Sequence, residues 1–251
     1  MNDDYAWNPE WWREAKAASL ERRRRSAAGA ALAKPGDAFL IVTEGTVTEP
    51  VYFDLLCRDL QLSVVRVKVQ PGDASDPRRV IHTAELEAKE QVRKARKGVL
   101  GFHEPAKFDH VWAVVDTDVA VRMNFWNDVW QLAAARKVNL AHSTPCFEFW
   151  LLLHIGYTTR TDLVDGDRAK RALREALGRD YSTNEGVAKE VFPTILLKWP
   201  QAVSHAEQVR CHHQGSATSQ PANPSTEVDR LVRAMNDSAP EHRRKLGRFP
   251  R

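Results

Sequence analysis

The chain has 251 residues, which is enough for one sizeable folded core with appendages. Hydrophobic residues make up 43% and charged residues 28%, so the composition is that of a globular protein and gives no reason to expect wholesale disorder. A formal net charge of +4 and a sequence pI of about 9.0 fit a nucleic-acid partner but do not establish one.

The cysteines and the apolar runs restrict the cellular setting. Cys57, Cys146 and Cys211 lie far apart, without the spacing of a zinc site or a disulfide framework. No uninterrupted apolar run approaches the roughly 20 residues that a membrane span needs. We therefore expect a protein of the reducing cytoplasm with no membrane partner.

Residues 1–37 form a basic segment before the first predicted strand, called the N-terminal arm below. It contains Trp7, Trp11 and Trp12 and the run Arg22, Arg23, Arg24 and Arg25. Two interpretations stay open. The arm could stack on bases and grip phosphates, or it could be a solvated helix whose tryptophans anchor it to the body or to a second copy of the chain.

Between residues 38 and 156, predicted strands and helices alternate. The run 39–43 is short, apolar and flanked by turn residues, as in a buried strand, and the pair Thr48 and Pro50 marks the start of a helix. The strands are predicted at 39–43, 64–70, 110–115 and 138–142, and the helices at 51–60, 76–97, 125–135 and 145–154. Because parallel strands need crossover helices, this order predicts an α/β core with a largely parallel sheet.

From residue 157 onward the pattern is mainly helical. It predicts an extension over 157–236 and a loose tail over 237–251. Helices are predicted at 167–177 and 186–211, the second one interrupted at Pro193 and Pro200. Residues 212–224 have the composition of a loop, and Ser225 is predicted to cap a terminal helix that ends near Met235.

Three acidic residues follow two of the predicted strands. Glu44 follows strand 39–43, and Asp116 and Asp118 follow strand 110–115. The carboxyl ends of parallel strands meet at one edge of a sheet, and the alternation of an extended strand would point Asp116 and Asp118 to the same side. Mg²⁺ prefers such hard oxygen ligands, and Mn²⁺ accepts them too. The combination favours a site for metal-dependent phosphodiester cleavage over helix caps or turn residues.

Two further glutamates have competing interpretations. Glu49 lies near the start of the first helix, where it could join a second metal position or complement the helix dipole. Glu148 lies in a strongly apolar helix, where a carboxylate needs a partner. That partner could be a buried Arg or Lys, but we favour a place for Glu148 in the acidic cluster.

Several strings of residues are shared with a known family. They are the basic run before the first strand, Ile41-Val-Thr-Glu-Gly-Thr-Val-Thr-Glu-Pro-Val-Tyr-Phe53, Val115-Asp-Thr-Asp118, Ser143-Thr-Pro-Cys-Phe-Glu-Phe-Trp-Leu-Leu-Leu-His154 and, later, Asn223-Pro-Ser-Thr226. In these strings the chain resembles the RloB-like proteins, a branch of Toprim-type proteins found in bacterial defence loci.

The resemblance implies a Toprim fold, in which Glu44 corresponds to the Toprim glutamate and Asp116 and Asp118 to its paired aspartates. It also implies nuclease action on DNA or RNA, including tRNA, together with an ATPase partner of the ABC or AAA type. The position of a catalytic lysine is left open by the resemblance. Lys189 and Lys198 are candidates, and Lys189 is also a candidate nucleic-acid contact.

The leading hypothesis is a Mg²⁺-dependent Toprim endonuclease of anti-phage defence and abortive infection. Glu44, Asp116 and Asp118 would bind the metal, with Glu49 and Glu148 as second-site ligands or a general base. A second hypothesis is a nucleic-acid-binding effector subunit that is active only with an ATPase partner. A third makes the N-terminal arm an oligomerisation element and the acids a phosphate-transfer site for nucleotides.

Overall fold

A five-stranded sheet in the order β2-β1-β3-β4-β5 forms the centre of the molecule. The computed structural model describes residues 37–62, 65–69, 76–101, 104–178, 181, 184–214 and 220–247. The strands are β1 (Phe39–Thr43), β2 (Val65–Val69), β3 (His110–Asp116), β4 (Asn139–Thr144) and β5 (Ser225–Thr226). The first four are parallel and the two-residue β5 is antiparallel to β4. The predicted α/β fold with a largely parallel sheet is confirmed.

Helices connect the strands and form most of the carboxyl-terminal part. They are α1 (Thr48–Asp59), α2 (Pro77–Arg96), α3 (Asp118–Arg122), α4 (Trp126–Arg136), α5 (Phe147–Ile155), α6 (Gly166–Leu177), α7 (Glu185–Leu196), α8 (Trp199–His212) and α9 (Val228–Ser238). A 3-10 turn follows at Glu241–Arg243. Among the described residues, no helix is both long and apolar enough to cross a membrane.

The alternation of side chains along β1 builds two hydrophobic layers. Phe39 and Ile41 face one layer, which also contains residues of α1 and of α5 to α9. Leu40 and Val42 face the other layer, formed with α2, α3 and α4. Because the first layer includes both the strands and the later helices, the predicted core (38–156) and the predicted extension (157–236) share one hydrophobic core.

Helix α5 lies inside that shared core. Its residues from Phe147 to His154 are all buried, because α6 and α8 pack on it as well as the sheet. A helix that is buried on all sides has no polar face, which explains the nearly continuous apolar sequence. The same packing leaves Glu148 only 4% exposed.

The structure corrects three details of the sequence prediction. Ser225 does not cap a helix: it pairs with Thr144 in β5, and the helix starts later, at Val228. The predicted helix 186–211 is two separate helices, α7 and α8. The second one starts at Trp199, directly before Pro200, whereas Pro193 lies inside α7. The short helix α3 was not predicted at all.

The residues after α9 make defined contacts as far as Leu246. The side-chain oxygen of Asn236 accepts hydrogen bonds from the backbone N–H groups of Lys245 and Leu246, at 3.0 and 3.2 Å. The Lys245 ammonium lies 2.6 Å from the carboxylate of Asp59. These contacts tie the segment after α9 to α1, although the sequence predicted a loose tail there.

The N-terminal arm lies outside the described residues up to residue 36. The predicted contacts of Arg22, Arg23, Arg24 and Arg25 with nucleic acid, and the predicted role of the arm in oligomer formation, therefore stay predictions.

Candidate active site

The carboxyl ends of β1 and β3 bring the first two acidic residues together. Thr43, the last residue of β1, is in register with Val114 of β3, and the backbone N–H of Glu44 donates to the Val114 carbonyl at 3.2 Å. The backbone N–H of Asp116 points back at Glu44 and lies 3.5 Å from its Oε2. Glu44 and Asp116 are thus neighbours because two parallel strands end side by side.

Asp116 also lies at the amino end of α5. The backbone N–H of Phe147, the first residue of that helix, donates to Asp116 Oδ1 at 2.9 Å. A helix amino terminus has unpaired N–H groups and a partial positive charge, so it favours a carboxylate there. The hydroxyl of Thr117 donates to that of Thr144 at 2.8 Å, which fixes the ends of β3 and β4 together.

Glu49 reaches the same place from the first turn of α1. It is 5% exposed, and its carboxylate folds over Gly45. A Cβ atom at Gly45 would lie 2.1 Å from Glu49 Oε2, so any larger residue would displace this carboxylate. The glycine directly after Glu44 is therefore what lets a second glutamate approach the strand end.

Glu148 enters from the first turn of α5 and is held through a tyrosine. The hydroxyl of Tyr181 lies 3.5 Å from Glu148 Oε1 and 3.1 Å from the hydroxyl of Thr48. Thr48 was predicted to mark the start of this helix, and it is the first residue of α1, after Val47 at the cap position. Its hydroxyl joins α1 to Glu148 through Tyr181.

Asp118 occupies a different position from the one that the sequence suggested. Strand β3 ends at Asp116, Thr117 has helical backbone angles (φ −103°, ψ −13°) and Asp118 opens α3. Its Oδ1 accepts a hydrogen bond from the backbone N–H of Val119 at 2.6 Å. The alternation expected of an extended strand therefore does not apply to Asp116 and Asp118.

The carboxylates act on one another electrostatically. Burial raises the pKa of Glu44 to about 7, and the charge of Asp118 adds to the shift, against a backbone hydrogen bond from Asp116. Burial also raises the pKa of Glu49 to about 7, together with the charges of Glu148 and Glu44. The pKa of Asp116 lies well above its ordinary value, because Asp116 is buried near Glu49, Glu148, Glu44 and Asp118. The structure thus concentrates acids that repel one another.

Lys170 on α6 supplies positive charge at this cluster. Partial burial lowers its pKa, but the charges of Glu148 and Asp116 act in the opposite direction, and the pKa is raised on balance. Sequence reasoning missed this lysine. Of the two proposed lysines, Lys189 pairs with Glu185 of its own helix at 2.8 Å, and Lys198 is exposed before α8.

Cys146 and the two buried histidines near the cluster carry no sign of nucleophilic chemistry. Burial raises the pKa of the Cys146 thiol well above its ordinary value, so the thiol stays protonated. Burial lowers the pKa of His142 and of His154 to about 3 each, so both imidazoles are neutral. The carboxylates therefore remain the candidate functional groups.

The donor set at the cluster fits a hard divalent cation. Its side chains offer carboxylate and hydroxyl oxygens, which suit Mg²⁺ and Mn²⁺. In the part of the chain that the structure describes, no three His, Cys, Asp or Glu side chains are grouped so as to hold one ion. Mg²⁺ is commonly bound by only one or two carboxylates, with waters and substrate phosphates completing its shell. Glu44 and Asp116, adjacent at the strand ends, meet that requirement.

Fold and site together define an α/β protein with a buried carboxylate cluster at the carboxyl edge of a parallel sheet. The family model for RloB-like proteins matches residues 39–235, which include both the sheet and the helical part. The chain therefore belongs to the RloB-like family, as the resemblance indicated. No curated protein and no solved structure matches it.

Proposed function

We propose that the protein is a Mg²⁺-dependent Toprim-type nuclease that hydrolyses phosphodiester bonds of DNA or RNA in anti-phage defence. The observation that carries the proposal is the grouping of Glu44, Glu49, Asp116 and Glu148, where burial and the neighbouring negative charges raise the pKa of Glu44, Glu49 and Asp116. Such a cluster costs free energy unless a cation compensates it. Buried, mutually perturbed acids at the carboxyl edge of a parallel sheet are typical of a functional site.

The residues of the cluster have distinct roles in this proposal. Glu44 and Asp116 would hold the metal ion, and Asp118 would add negative charge from α3. When bound, Mg²⁺ supplies Lewis-acid stabilisation of the phosphate and lowers the pKa of a coordinated water. Glu49 and Glu148 lie deeper, at 5% and 4% exposure, and Glu49, whose pKa burial raises to about 7, would be the group that takes up a proton at neutral pH.

Lys170 would contact the phosphate in this arrangement. It is half-buried at the rim of the cluster and is held protonated by Glu148 and Asp116. A protonated lysine next to the metal position can balance the charge that develops on the phosphate oxygens. The proposal therefore moves the catalytic lysine from Lys189 and Lys198 to Lys170.

The proposal is tested with the purified full chain and three labelled substrates: plasmid DNA, single-stranded DNA and total tRNA. Each is incubated with Mg²⁺, with Mn²⁺ or with a chelator. Asp116→Asn should lower metal-dependent cleavage by ~100-fold or more, because the metal loses an anionic ligand. Asp128→Asn, on the exposed side of α4, should cleave like the wild type. Full activity in Asp116→Asn would remove the site from the mechanism.

A second candidate function is favoured by the separation of the carboxylates. Among the described residues, no three acidic, histidine or cysteine side chains are grouped so as to hold one ion, so an ion held by more than two of them would need the carboxylates to move closer together. This favours an effector subunit that becomes active only with an ATPase partner. A pure chain that binds nucleic acid but stays inert with either metal, and then cleaves when the ATPase is added, would establish that version.

A further inference from the structure

The edge of the sheet opposite the carboxylate cluster carries a groove that is lined by apolar and basic side chains. It lies between the second half of α2 and the end of α4, over the amino ends of β3 and β4, and encloses about 620 Å³. Its floor is apolar and consists of Ala88, Val92, Val111 and Val138. Five cationic side chains surround the floor: Lys89, Arg93, Arg96, Arg136 and Lys137. We call this feature the basic groove.

Ion pairs fix the inner cations of the basic groove. Glu85 is 8% exposed and binds Lys89 and Arg136, each at 2.5 Å. The hydrogen bond from Lys89 lowers the pKa of Glu85, and the Arg136 charge adds to the effect, so this carboxylate stays ionised. Glu85 thereby ties α2 to α4 and holds two long side chains along the walls, where their alkyl stems extend the apolar surface.

The outer cations have less local compensation. Arg93 pairs with Glu90 on its own helix at 2.6 Å. Within the described ranges, Arg96 and Lys137 are exposed and make no ion pair. The ends of α2 and α4 favour cations through their helix dipoles, which is a reason for basic residues in the last turns. That effect does not explain Lys89, two turns earlier, or the apolar floor.

We propose that the basic groove binds an acidic amphipathic helix of a partner protein. Lys89, Arg93 and Arg96 have the spacing i, i+4 and i+7, so they line one face of α2 along the groove. A helix that lies in the groove would place its apolar stripe on Val92 and Val111 and its flanking carboxylates against the cations. A phosphodiester backbone offers no apolar groups to such a floor. The opposite edge holds the carboxylate cluster, so this surface does not depend on the proposed function.

The test uses the full chain and a fluorescein-labelled helical peptide of about 18 residues, long enough to run along the groove. The peptide carries leucines at i, i+3, i+4 and i+7 and glutamates beside them. Fluorescence anisotropy should show binding at least ~10-fold tighter than for a scrambled peptide of the same composition. Oligoglutamate and single-stranded DNA of equal charge serve as competitors and should displace it weakly.

Charge reversal at the two unpaired cations tests the site itself. Arg96→Glu with Lys137→Glu should weaken peptide binding by ~10-fold or more, and Val92→Ser should weaken it by a smaller factor. Arg79→Glu is the matched control, because Arg79 is exposed on the other end of α2. The milder pair Arg96→Ala and Lys137→Ala guards against misfolding. Absence of peptide binding, equal binding of the scrambled peptide, full displacement by DNA, or an unchanged affinity in both double variants would each overturn the proposal.

Discussion

Buried acids are compensated in different ways at Asp229 and at the carboxylate cluster. Asp229 on α9 is 0% exposed, and the guanidinium of Arg210 donates to both of its oxygens, at 2.6 and 2.7 Å. Glu49 is also buried and Asp116 is partly buried, but the charges that act on them include those of other carboxylates. A buried carboxylate with its own arginine is typical of a structural element, whereas a group of carboxylates with a single partly buried lysine beside it, Lys170, is typical of a functional site.

The surroundings of Asp229 show what the paired acid does. Arg210 also donates to the Thr226 carbonyl at 2.9 Å, and the Thr226 hydroxyl contacts Ser143 at 2.9 Å. The pair therefore connects α8, α9 and β5 to the end of β4, next to the carboxylate cluster. The string Asn223-Pro-Ser-Thr226 is one of those shared with the RloB-like proteins, and its Thr226 takes part in this connection.

The strongest expected effect is on the paired acid. Arg210→Met leaves Asp229 buried without its counterion and should lower the free energy of unfolding by ~3 to 5 kcal/mol. Urea denaturation followed by circular dichroism measures it. The double variant Arg210→Met with Asp229→Leu should recover most of the loss, because no buried charge is then left unpaired. A loss below ~1 kcal/mol in the single variant would make the pair equivalent to a surface ion pair.

The second expected effect concerns the carboxylate cluster, where the removal of one charge should leave the free energy of unfolding unchanged or raise it. Asp116→Asn removes one of several repelling acids, and its amide oxygen can still accept the hydrogen bond from Phe147. Without metal, the variant should be as stable as the wild type or more stable. Mg²⁺ at ~100 times its Kd should stabilise the wild type by about 2.7 kcal/mol and the variant by much less.

Denaturation with and without Mg²⁺ measures this difference, and Asp128→Asn is the control because its side chain is exposed on α4. Equal stabilisation of the wild type and of Asp116→Asn by Mg²⁺ would show that the cluster does not bind the ion.

His154 is a buried titratable group whose hydrogen-bond partners are neutral. Its Nε2 lies 3.1 Å from the Tyr52 hydroxyl, and its Nδ1 lies 3.0 Å from the Trp150 carbonyl. Burial lowers its pKa from 6.5 to about 3, so the unfolded chain takes up a proton below pH 6.5 before the folded chain does. Stability is therefore lost as the pH falls, at ~1.4 kcal/mol per pH unit between these two values.

Glu44 and Glu49 change stability with pH in the opposite direction. Because their pKa values are raised in the folded state, the folded chain takes up protons before the unfolded chain does, and their contribution to stability increases as the pH falls. The measured quantity is therefore the pH slope of the wild type minus that of His154→Gln, in which the glutamine side chain can still meet the Tyr52 hydroxyl. Identical slopes for the two proteins would contradict a neutral buried imidazole at this position.

Much of the carboxylate site could be predicted from the sequence because strand ends are local features. The apolar runs before Glu44 and Asp116 defined β1 and β3, and parallel pairing then placed both acids at one edge. Glu148 was identified from a carboxylate in an otherwise apolar helix. The side-chain direction of Asp118 was predicted on the assumption that the strand continues through this residue. The strand ends at Asp116 instead, because Thr117 has helical backbone angles.

The remaining parts of the site depend on tertiary packing. Lys170 reaches the cluster because Ala169 and Leu173 bury one face of α6 against α5, and nothing in the sequence around it indicates this direction. Tyr181 lies 33 residues from Glu148 and 133 from Thr48, so its contacts have no local pattern. Strand β5 has two residues, which is too short for any periodicity to show.

The smallest effect should come from Tyr181, a neutral side chain whose hydroxyl contacts the carboxylate cluster at Glu148. Tyr181→Phe keeps the ring that stacks on Phe192 at 6.4 Å and removes only the hydroxyl between Thr48 and Glu148. Stability should fall by ~1 kcal/mol, the net value of a buried hydrogen bond. Mg²⁺ affinity should fall as well, because Glu148 then loses the group that holds its carboxylate in the cluster. Calorimetric titration of Mg²⁺ separates the two effects, since a purely structural hydroxyl would lower stability and leave the affinity of the folded protein unchanged.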